Sequence, residues 1–313
     1  MAALPGFFSH PSSLEHDTGA HPEQAGRIVA IEAALEARDW LGWERVLSAP
    51  ATRAQLELVH PAAHIESIER AFRAGGGQLD ADTVVSAGSF EAALHAAGGA
   101  VGMVSRLLDG GAGSVGFSAH RPPGHHAPAD KPMGFCLFNN VAVGTRFALR
   151  ERGLARVLII DWDVHHGNGT QDIFWESDEV LFCSMHQMPL YPGSGAAGEV
   201  GAGAGRGFTL NVPMAPGSGD AEWVEALRDV VLSRGEEFAP ELVLVSAGFD
   251  AHADDPLAGC EVSDSGFVAM AALVRGLADR LEVPLGFVLE GGYDVAALAR
   301  CVTAVMAEVG AAA

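Results

Sequence analysis

VLIIDWDVHHGNG, residues 157–169, is the stretch that decides the fold. Its first four residues are large and apolar, a pattern typical of a strand buried on both faces of a parallel sheet. Acidic and histidine side chains follow at once, at the carboxyl end of the strand, where open α/β sheets place their ligand sites. Asp161, Asp163 and His165 are two residues apart, so an extended backbone would direct all three to one side.

Two later stretches repeat this arrangement. Residues 242–245 (LVLV) lead into Ser246–Asp250, and residues 285–289 (LGFVL) lead into Glu290–Tyr293. Such runs alternate with helical patterns, as expected of βαβ units. The predicted helices cover residues 61–74, 89–108, 139–152, 220–238, 263–280 and 294–309, and residues 1–21 are predicted to be loop. The pattern therefore favours an α/β fold.

The carboxylates at these strand ends need positive partners, because an unpaired buried charge is very costly. No lysine or arginine lies between Arg156 and Arg206 or between Arg234 and Arg275. A bound cation would supply the charge, and Asp163, His165 and Asp250 would form a three-ligand site with one position open, as in catalytic zinc sites. The alternative is that distant arginines neutralise these acids, or that the residues only cap loops.

Further chemistry is indicated by RPPGHHA, residues 121–127, and by two tyrosines. His125 and His126 can each serve as a general base or acid near neutral pH, and the prolines and Gly124 restrict the loop that carries them. A lone histidine here would more often be structural. Tyr191 and Tyr293 are the only tyrosines, both in loops rich in glycine or proline. Tyr293 is thus a candidate hydroxyl donor to an oxyanion.

Composition bounds the class of protein. The chain has 313 residues, 49% of them hydrophobic, and no linker or repeat, which favours one domain over residues 1–313. No apolar run approaches the roughly 20 residues of a membrane span, and no signal peptide is evident. Four cysteines without CxxC spacing favour a reducing, cytoplasmic location.

Charge narrows the expected partners. A net charge of -21 with a single lysine, Lys131, argues against direct binding to nucleic acid or to an anionic membrane. It favours cationic substrates, although a soluble acidic surface would look the same. Residues 201–205 (GAGAG) lack the GxGxxG spacing and precede a predicted strand, so they are not a dinucleotide fingerprint.

Taken together, these motifs resemble the histone deacetylase family, more specifically its class II and bacterial amidohydrolase-like branches. The matching segments span about residues 10–300 and are His21–Glu23, 121–127, 134–140, 161–171, 246–256 and 290–293. The resemblance implies the three-layer arginase/deacetylase fold, a central parallel sheet of about eight strands with helices on both faces.

The resemblance also implies roles for individual residues. Asp163, His165 and Asp250 would bind one zinc ion, and such a ligand set also accepts Fe2+ or Co2+. His125 would be held by Asp161, and His126 by Asn168, which is asparagine as in class II members. Around the substrate, Phe135 and Tyr191 would line the acyl-lysine tunnel, Gly134 would accept a hydrogen bond from the amide, and Arg27 would lie near the foot of the acetate channel.

Two potassium sites are implied as well. The first matches Asp161, Asp163, His165, Ser184 and Met185, and the second matches Phe174, Ser177, Val180 and Phe208, mainly through backbone carbonyls. Bacterial relatives in this family commonly form dimers or tetramers, so a homodimer or homotetramer is expected.

The expected activity is hydrolysis of an acetyl or other short acyl group from a lysine side chain, in a peptide or protein, or from a similar amine. Acetylpolyamine deacetylation is the alternative, although Leu257 stands where a polyamine-selective relative has glutamate. Two other classes stay open at this point. An arginase-like hydrolase would bind two manganese ions, and an inactive module would bind acetylated lysine without cleaving it.

Overall fold

The structure, a computed structural model, describes residues 4–311. Its strands are β1 (Gly6–Ser9), β2 (Glu44–Leu47), β3 (Gly77–Gln78), β4 (Val84–Val85), β5 (Val115–Ser118), β6 (Val157–Asp161), β7 (Val180–Gln187), β8 (Thr209–Met214), β9 (Leu242–Ala247) and β10 (Leu285–Leu289). Its α-helices are α1 (Ser12–Glu15), α2 (Gly26–Glu36), α3 (Arg53–Leu56), α4 (Ala62–Arg73), α5 (Ser89–Gly110), α6 (Asn140–Arg150), α7 (Asn168–Phe174), α8 (Asp220–Ala226), α9 (Ser233–Phe238), α10 (Asp264–Leu281) and α11 (Val295–Gly310).

Eight of the strands form one sheet, in the order β2-β1-β5-β10-β9-β6-β7-β8, and every neighbouring pair is parallel. The last strand in sequence, β10, lies in the middle of the sheet, between β5 and β9. β3 and β4 form a separate antiparallel pair. The predicted parallel sheet of about eight strands is therefore confirmed.

Alternating side chains of the central strands reach opposite faces of the sheet. Leu158 and Ile160 of β6 join a core with helices α2, α8, α10 and α11. Val157 and Ile159 of the same strand join a second core with helices α4, α5 and α6. Because both faces are covered, the strands have no polar side, which explains their continuous apolar runs. The prediction of helices on both faces is confirmed.

Three helices that begin beside the carboxyl edge of the sheet are capped by side chains. Asn139 accepts a hydrogen bond from Ala142 N–H, Ser263 from Gly266 N–H and Asp294 from Ala297 N–H. Each cap satisfies a backbone donor that the first turn of a helix leaves free. The caps fix where the loops from the sheet edge enter α6, α10 and α11.

Two local predictions are corrected by the structure. Of the residues predicted to be loop, 6–9 form the buried strand β1 and 12–15 form the short helix α1, while 1–3 lie outside the described residues. A four-residue element is too short to show a periodic pattern, although β1 pairs with both β2 and β5. The helix predicted over residues 220–238 contains a π-helical stretch, Leu227–Leu232, between α8 and α9. Within residues 4–311, no helix is both long enough and apolar enough to span a bilayer.

Candidate functional site

The three predicted metal ligands lie together at the carboxyl edge of the sheet. Asp163 and His165 follow β6, and Asp250 follows the adjacent strand β9. Nδ1 of His165 is 3.1 Å from Oδ1 of Asp163 and 3.1 Å from Oδ2 of Asp250. One candidate donor atom from each residue lies within 4.8 Å of the other two, and all three side chains are buried. The neighbouring ends of two parallel strands thus assemble the set.

Backbone amides hold these carboxylates in place. Asp163 accepts hydrogen bonds from the N–H groups of His165, at 2.9 Å, and Gly291, at 2.7 Å. Asp250 accepts one from Val164, at 2.8 Å. A Cβ atom at Gly291 would collide with the carboxylates of both Asp163 and Asp250, so only glycine fits there. The amide of Gly291 can therefore approach the carboxylate of Asp163 directly.

Positive charge is scarce around this cluster. Within residues 4–311, no lysine or arginine forms a salt bridge with Asp161, Asp163 or Asp250. Burial and the charge of Asp163 raise the pKa of Asp250 to about 7. Burial would lower the pKa of His165, but hydrogen bonds with the two aspartates raise it to about 10. Two buried carboxylates competing for one imidazole suit a divalent cation, and the O, N, O donor set is one that zinc accepts.

The tandem histidines lie in the loop after β5 and have different partners. Nδ1 of His125 is 3.1 Å from Oδ2 of Asp161, and Nδ1 of His126 is 2.8 Å from Oδ1 of Asn168. The amide nitrogen of Asn168 is directed to His126 O and Met133 Sδ, which leaves Oδ1 as an acceptor. Nδ1 of His126 therefore carries a proton, and its Nε2 lone pair is free.

The two imidazoles also differ in protonation. Burial would lower the pKa of His125, but the charges of Asp163 and Asp161 raise it to about 10. Burial lowers the pKa of His126 well below its ordinary value, and the charges of His125 and His165 lower it further. The two pKa shifts thus point in opposite directions, toward a proton on His125, which pairs with Asp161, and toward a neutral His126.

A cavity of about 220 Å³ leads to this group. It is lined by Asp82, His126, Gly134, Phe135, His165, Leu190, Tyr191, Leu257 and Tyr293. Gly134 and Phe135 both have positive φ, 55° and 69°, which turns the Phe135 ring toward the ring of Tyr293, at a centroid distance of 5.9 Å. The predicted tunnel residues therefore share one cavity with a histidine of the tandem pair and a predicted metal ligand.

Tyr293 lies in the loop between β10 and α11 and is largely buried. Burial raises the pKa of its hydroxyl well above the ordinary value, so the group stays a proton donor. Arg27 does not line the cavity but lies behind this loop. It donates to Gly292 O at 2.7 Å and to Glu290 O, and its guanidinium is 5.1 Å from the Tyr293 ring centroid.

The residues predicted to bind potassium lie on β6 and β7 or beside the ends of β6, β7 and β8. Asp161 of β6 is in register with Ser184 of β7, and Met185 follows it. In the second set, Phe174 O accepts from Ser177 N–H at 2.9 Å and Phe208 O accepts from Phe182 N–H at 2.9 Å, beside the start of β7 at Val180. These two carbonyls each keep one lone pair for a further ligand.

A second cluster, His252, Asp264 and Cys301, also brings candidate ligand atoms together. Nδ1 of His252 accepts the Asp254 N–H, so its Nε2 carries the proton that it donates to Asp264 at 2.8 Å. Arg300 also pairs with Asp264. Because Nε2 of His252 is protonated and Asp264 is paired with Arg300, this cluster is better suited to stabilising the loop after β9 than to binding a metal ion.

Three contributors near the site were given no individual role from the sequence. Asp82 lines the cavity, Glu290 accepts from the N–H groups of Gly124 and His125, and Asp255 accepts from the N–H of Tyr293. Glu290 carried a usable signal, since it is a carboxylate directly after a buried strand. Asp82 and Asp255 lie in polar loops, where acidic residues are common.

The whole chain is similar to proteins of known family. A family model described as the histone deacetylase domain matches residues 21–309. The histone deacetylase-like amidohydrolase of Pseudomonas aeruginosa is 43% identical over 83% of this chain and 68% of its own length. A probable deacetylase of Archaeoglobus fulgidus is 37% identical, covering 93% of this chain and 81% of that protein. The crystal structure of the HDA15 HD domain superposes with a TM-score of 0.93 at 34% identity, covering 99% of this chain and 89% of that one.

Proposed function

Because this chain belongs to the histone deacetylase family, we propose that it is a zinc-dependent amidohydrolase that removes acetyl or other short acyl groups from lysine side chains or similar amines. One observation carries the proposal. The cavity is lined by a neutral histidine, a tyrosine hydroxyl and a residue of the Asp163, His165 and Asp250 cluster. A base, an oxyanion donor and a divalent-cation site around one narrow cavity are what amide hydrolysis needs.

Asp163, His165 and Asp250 would hold the metal ion, which when bound polarises a carbonyl oxygen and makes water a stronger acid. Nε2 of His126 accepts the proton of the attacking water. Tyr293 donates its O–H to the oxygen that becomes negative as the carbonyl carbon turns tetrahedral. His126 then returns the proton to the nitrogen of the leaving amine as the C–N bond breaks. The products are a carboxylate and a free amine.

The other residues orient these groups. Asp161 holds Nδ1 of His125 and so orients this second imidazole beside His126. Asn168 fixes the tautomer of His126 by accepting from Nδ1. Phe135, Tyr191 and Leu257 would enclose the aliphatic stem of the substrate, and Gly134 would accept its amide N–H. Potassium at the two sites described above, a homodimer or homotetramer and a cytoplasmic location complete the proposal.

The direct test is a turnover screen with zinc content measured on the same sample. We expect hydrolysis of acetyl-lysine and trifluoroacetyl-lysine peptides by protein that holds one zinc per chain. Two metal ions per chain would indicate an arginase-like site instead. A metal-free sample that remains active and is indifferent to chelators would refute the zinc mechanism.

Acetylated polyamines are the second candidate substrates, because Asp82 lines the cavity and the chain carries a net charge of -21. A carboxylate there would attract a second ammonium group on the substrate. Acetylputrescine and acetylspermidine therefore belong in the same screen. Leu257→Glu should raise their turnover relative to acetyl-lysine peptides. An unchanged ranking would remove residue 257 from the basis of specificity.

A further inference from the structure

Asp255 is a buried carboxylate in the loop after β9, and the catalytic steps above do not use it. Its side chain is 7% exposed, and none of its hydrogen bonds in the described part of the chain comes from an arginine or lysine. All of these hydrogen bonds come from backbone N–H groups. A buried carboxylate that accepts several such bonds fixes the backbone around it.

Its two oxygens reach two different loops. Oδ2 accepts from Tyr293 N–H at 2.6 Å and from Asp294 N–H at 3.3 Å, in the loop between β10 and α11. Oδ1 accepts from Leu257 N–H at 3.0 Å, in its own loop. Tyr293 and Leu257 both line the cavity. One carboxylate therefore sets the backbone of both the oxyanion donor and a residue that contacts the substrate stem.

We propose that Asp255 is a positioning residue. It holds the backbone so that the Tyr293 hydroxyl is placed for catalysis, and it links this loop to the loop that carries Leu257. The inference rests on the proposed function. Arg27 donates to Gly292 O and Glu290 O, just before Tyr293, so Arg27 holds carbonyl groups of the tyrosine loop and Asp255 holds its N–H groups. The next residue, Asp294, begins α11 as its cap, so the tyrosine has little backbone freedom once Asp255 binds it.

Asp255→Asn is the direct test, because asparagine keeps the shape but not the acceptors. Its NH2 group must face either the Leu257 N–H or the N–H groups of Tyr293 and Asp294, so one of the two loops is released. Because Asp255 links these loops, either loss shifts the backbone that carries Tyr293. We expect kcat on an acetyl-lysine peptide to fall about 100-fold, the loss that a misplacement of about 1 Å can cause, with KM changed little. Asp254→Asn is the matched control, since that neighbouring carboxylate is exposed and pairs with Arg300.

A double-variant cycle separates positioning from general damage. If Asp255 acts through the tyrosine hydroxyl, Asp255→Asn causes no further loss of kcat when Tyr293→Phe is already present. A loss that multiplies with that of Tyr293→Phe would overturn the proposal. So would wild-type kcat in Asp255→Asn while Tyr293→Phe is impaired.

A spectroscopic readout does not depend on turnover. The chain has two tyrosines, so incorporation of 3-fluorotyrosine gives two fluorine resonances, assigned with Tyr293→Phe. Asp255→Asn should shift the Tyr293 resonance and leave that of Tyr191 in place, and an unshifted Tyr293 signal would refute the inference. Should this variant not fold, Asp255→Glu, which moves the carboxylate by one methylene, must show the same pattern. If the wild-type protein hydrolysed none of the acylated lysines or amines, the proposed function would be refuted. The fluorine spectra would still show whether Asp255 positions Tyr293.

Discussion

At the scale of single residues, the site depends on giving identical side chains different surroundings. His125 and His126 are adjacent, yet one faces a carboxylate and the other an amide oxygen. Their pKa values consequently move in opposite directions, up for His125 and down for His126. One dipeptide thus supplies two imidazoles with opposite tendencies to bind a proton.

Tyr293→Phe tests the oxyanion donor. Loss of one such donor typically lowers kcat about 100- to 1000-fold, and we expect a decrease of that order without loss of folding, measured by single-turnover kinetics and thermal unfolding. Tyr191→Phe is the matched control, because it also removes one tyrosine hydroxyl from the cavity lining but keeps the ring that would contact the substrate. Equal turnover by Tyr293→Phe and the wild type would remove the tyrosine from the mechanism.

Gly291→Ala tests the proposed metal site without replacing any of its ligands. The added methyl group would collide with Asp163 and Asp250, and we expect zinc affinity to fall about 10- to 100-fold, as when groups that support metal ligands are lost. Metal retained after dialysis against a zinc buffer is the measurement. Gly198→Ala, where a methyl group has open space, should bind zinc like the wild type.

At the scale of elements, the site is held together by loops that meet at one edge of the sheet. Glu23 of the segment before α2 accepts from Arg27 at 3.1 Å and from Arg121 Nη2 at 2.7 Å, all three side chains being fully buried. Arg121 begins the tandem-histidine loop, and Arg27 supports the tyrosine loop. A single buried carboxylate therefore joins α2 to the loops after β5 and β10.

Glu23→Gln should destabilise the protein by about 3–5 kcal/mol, because it leaves two buried guanidinium groups without a counter-charge. Chemical denaturation at pH 7 measures this. Glu57→Gln, which removes an exposed pair with Arg53, should cost at most about 1 kcal/mol. A similar effect of the two substitutions would show that the buried network contributes little.

The same carboxylate gives a dependence on pH. Burial would raise the pKa of Glu23, but the charge and hydrogen bonds of Arg121 lower it to about 2, against an ordinary value of 4.5. Its contribution is therefore complete above pH 4.5 and is lost as the pH falls toward 2. The difference in stability between the wild type and Glu23→Gln should shrink over that range.

Much of the fold could be predicted at this scale, and the missing parts have a physical reason. Buried strands such as β6 and β9 leave continuous apolar runs, and their polar ends identify Asp163, His165 and Asp250. The four-residue strand β1 has no such run. The supporting hydrogen bonds join distant parts of the chain. The one from the Gly124 N–H to Glu290, for example, joins residues 166 apart in sequence, so no local pattern predicts it.

At the scale of the whole molecule, buried neutral histidines make stability sensitive to acid. Burial lowers the pKa of His16 to about 4 and those of His60 and His120 to about 3, from 6.5. Below pH 6.5 the unfolded chain takes up protons at these positions and the folded chain does not. Stability is therefore complete above pH 6.5 and falls as the pH decreases toward 4.

Urea unfolding at pH 7, 6 and 5 measures this effect. Each of these histidines should cost up to about 1.4 kcal/mol per pH unit in the lower part of the range. Metal-depleted protein is the control, because protonation of metal ligands would add a separate loss. Unfolding midpoints that stay constant from pH 7 to 5 in metal-depleted protein would contradict the expectation.

The position of β10 has a consequence for biosynthesis. While the ribosome is still making residues 285–289, β5 and β9 have no strand between them, and the sheet exists only as two separate groups of strands. At that stage Asp163 also lacks its hydrogen bond from the Gly291 amide. A nascent chain that has not reached residue 291 therefore lacks both the central strand and this hydrogen bond, so the proposed metal site can be completed only after that residue has been made.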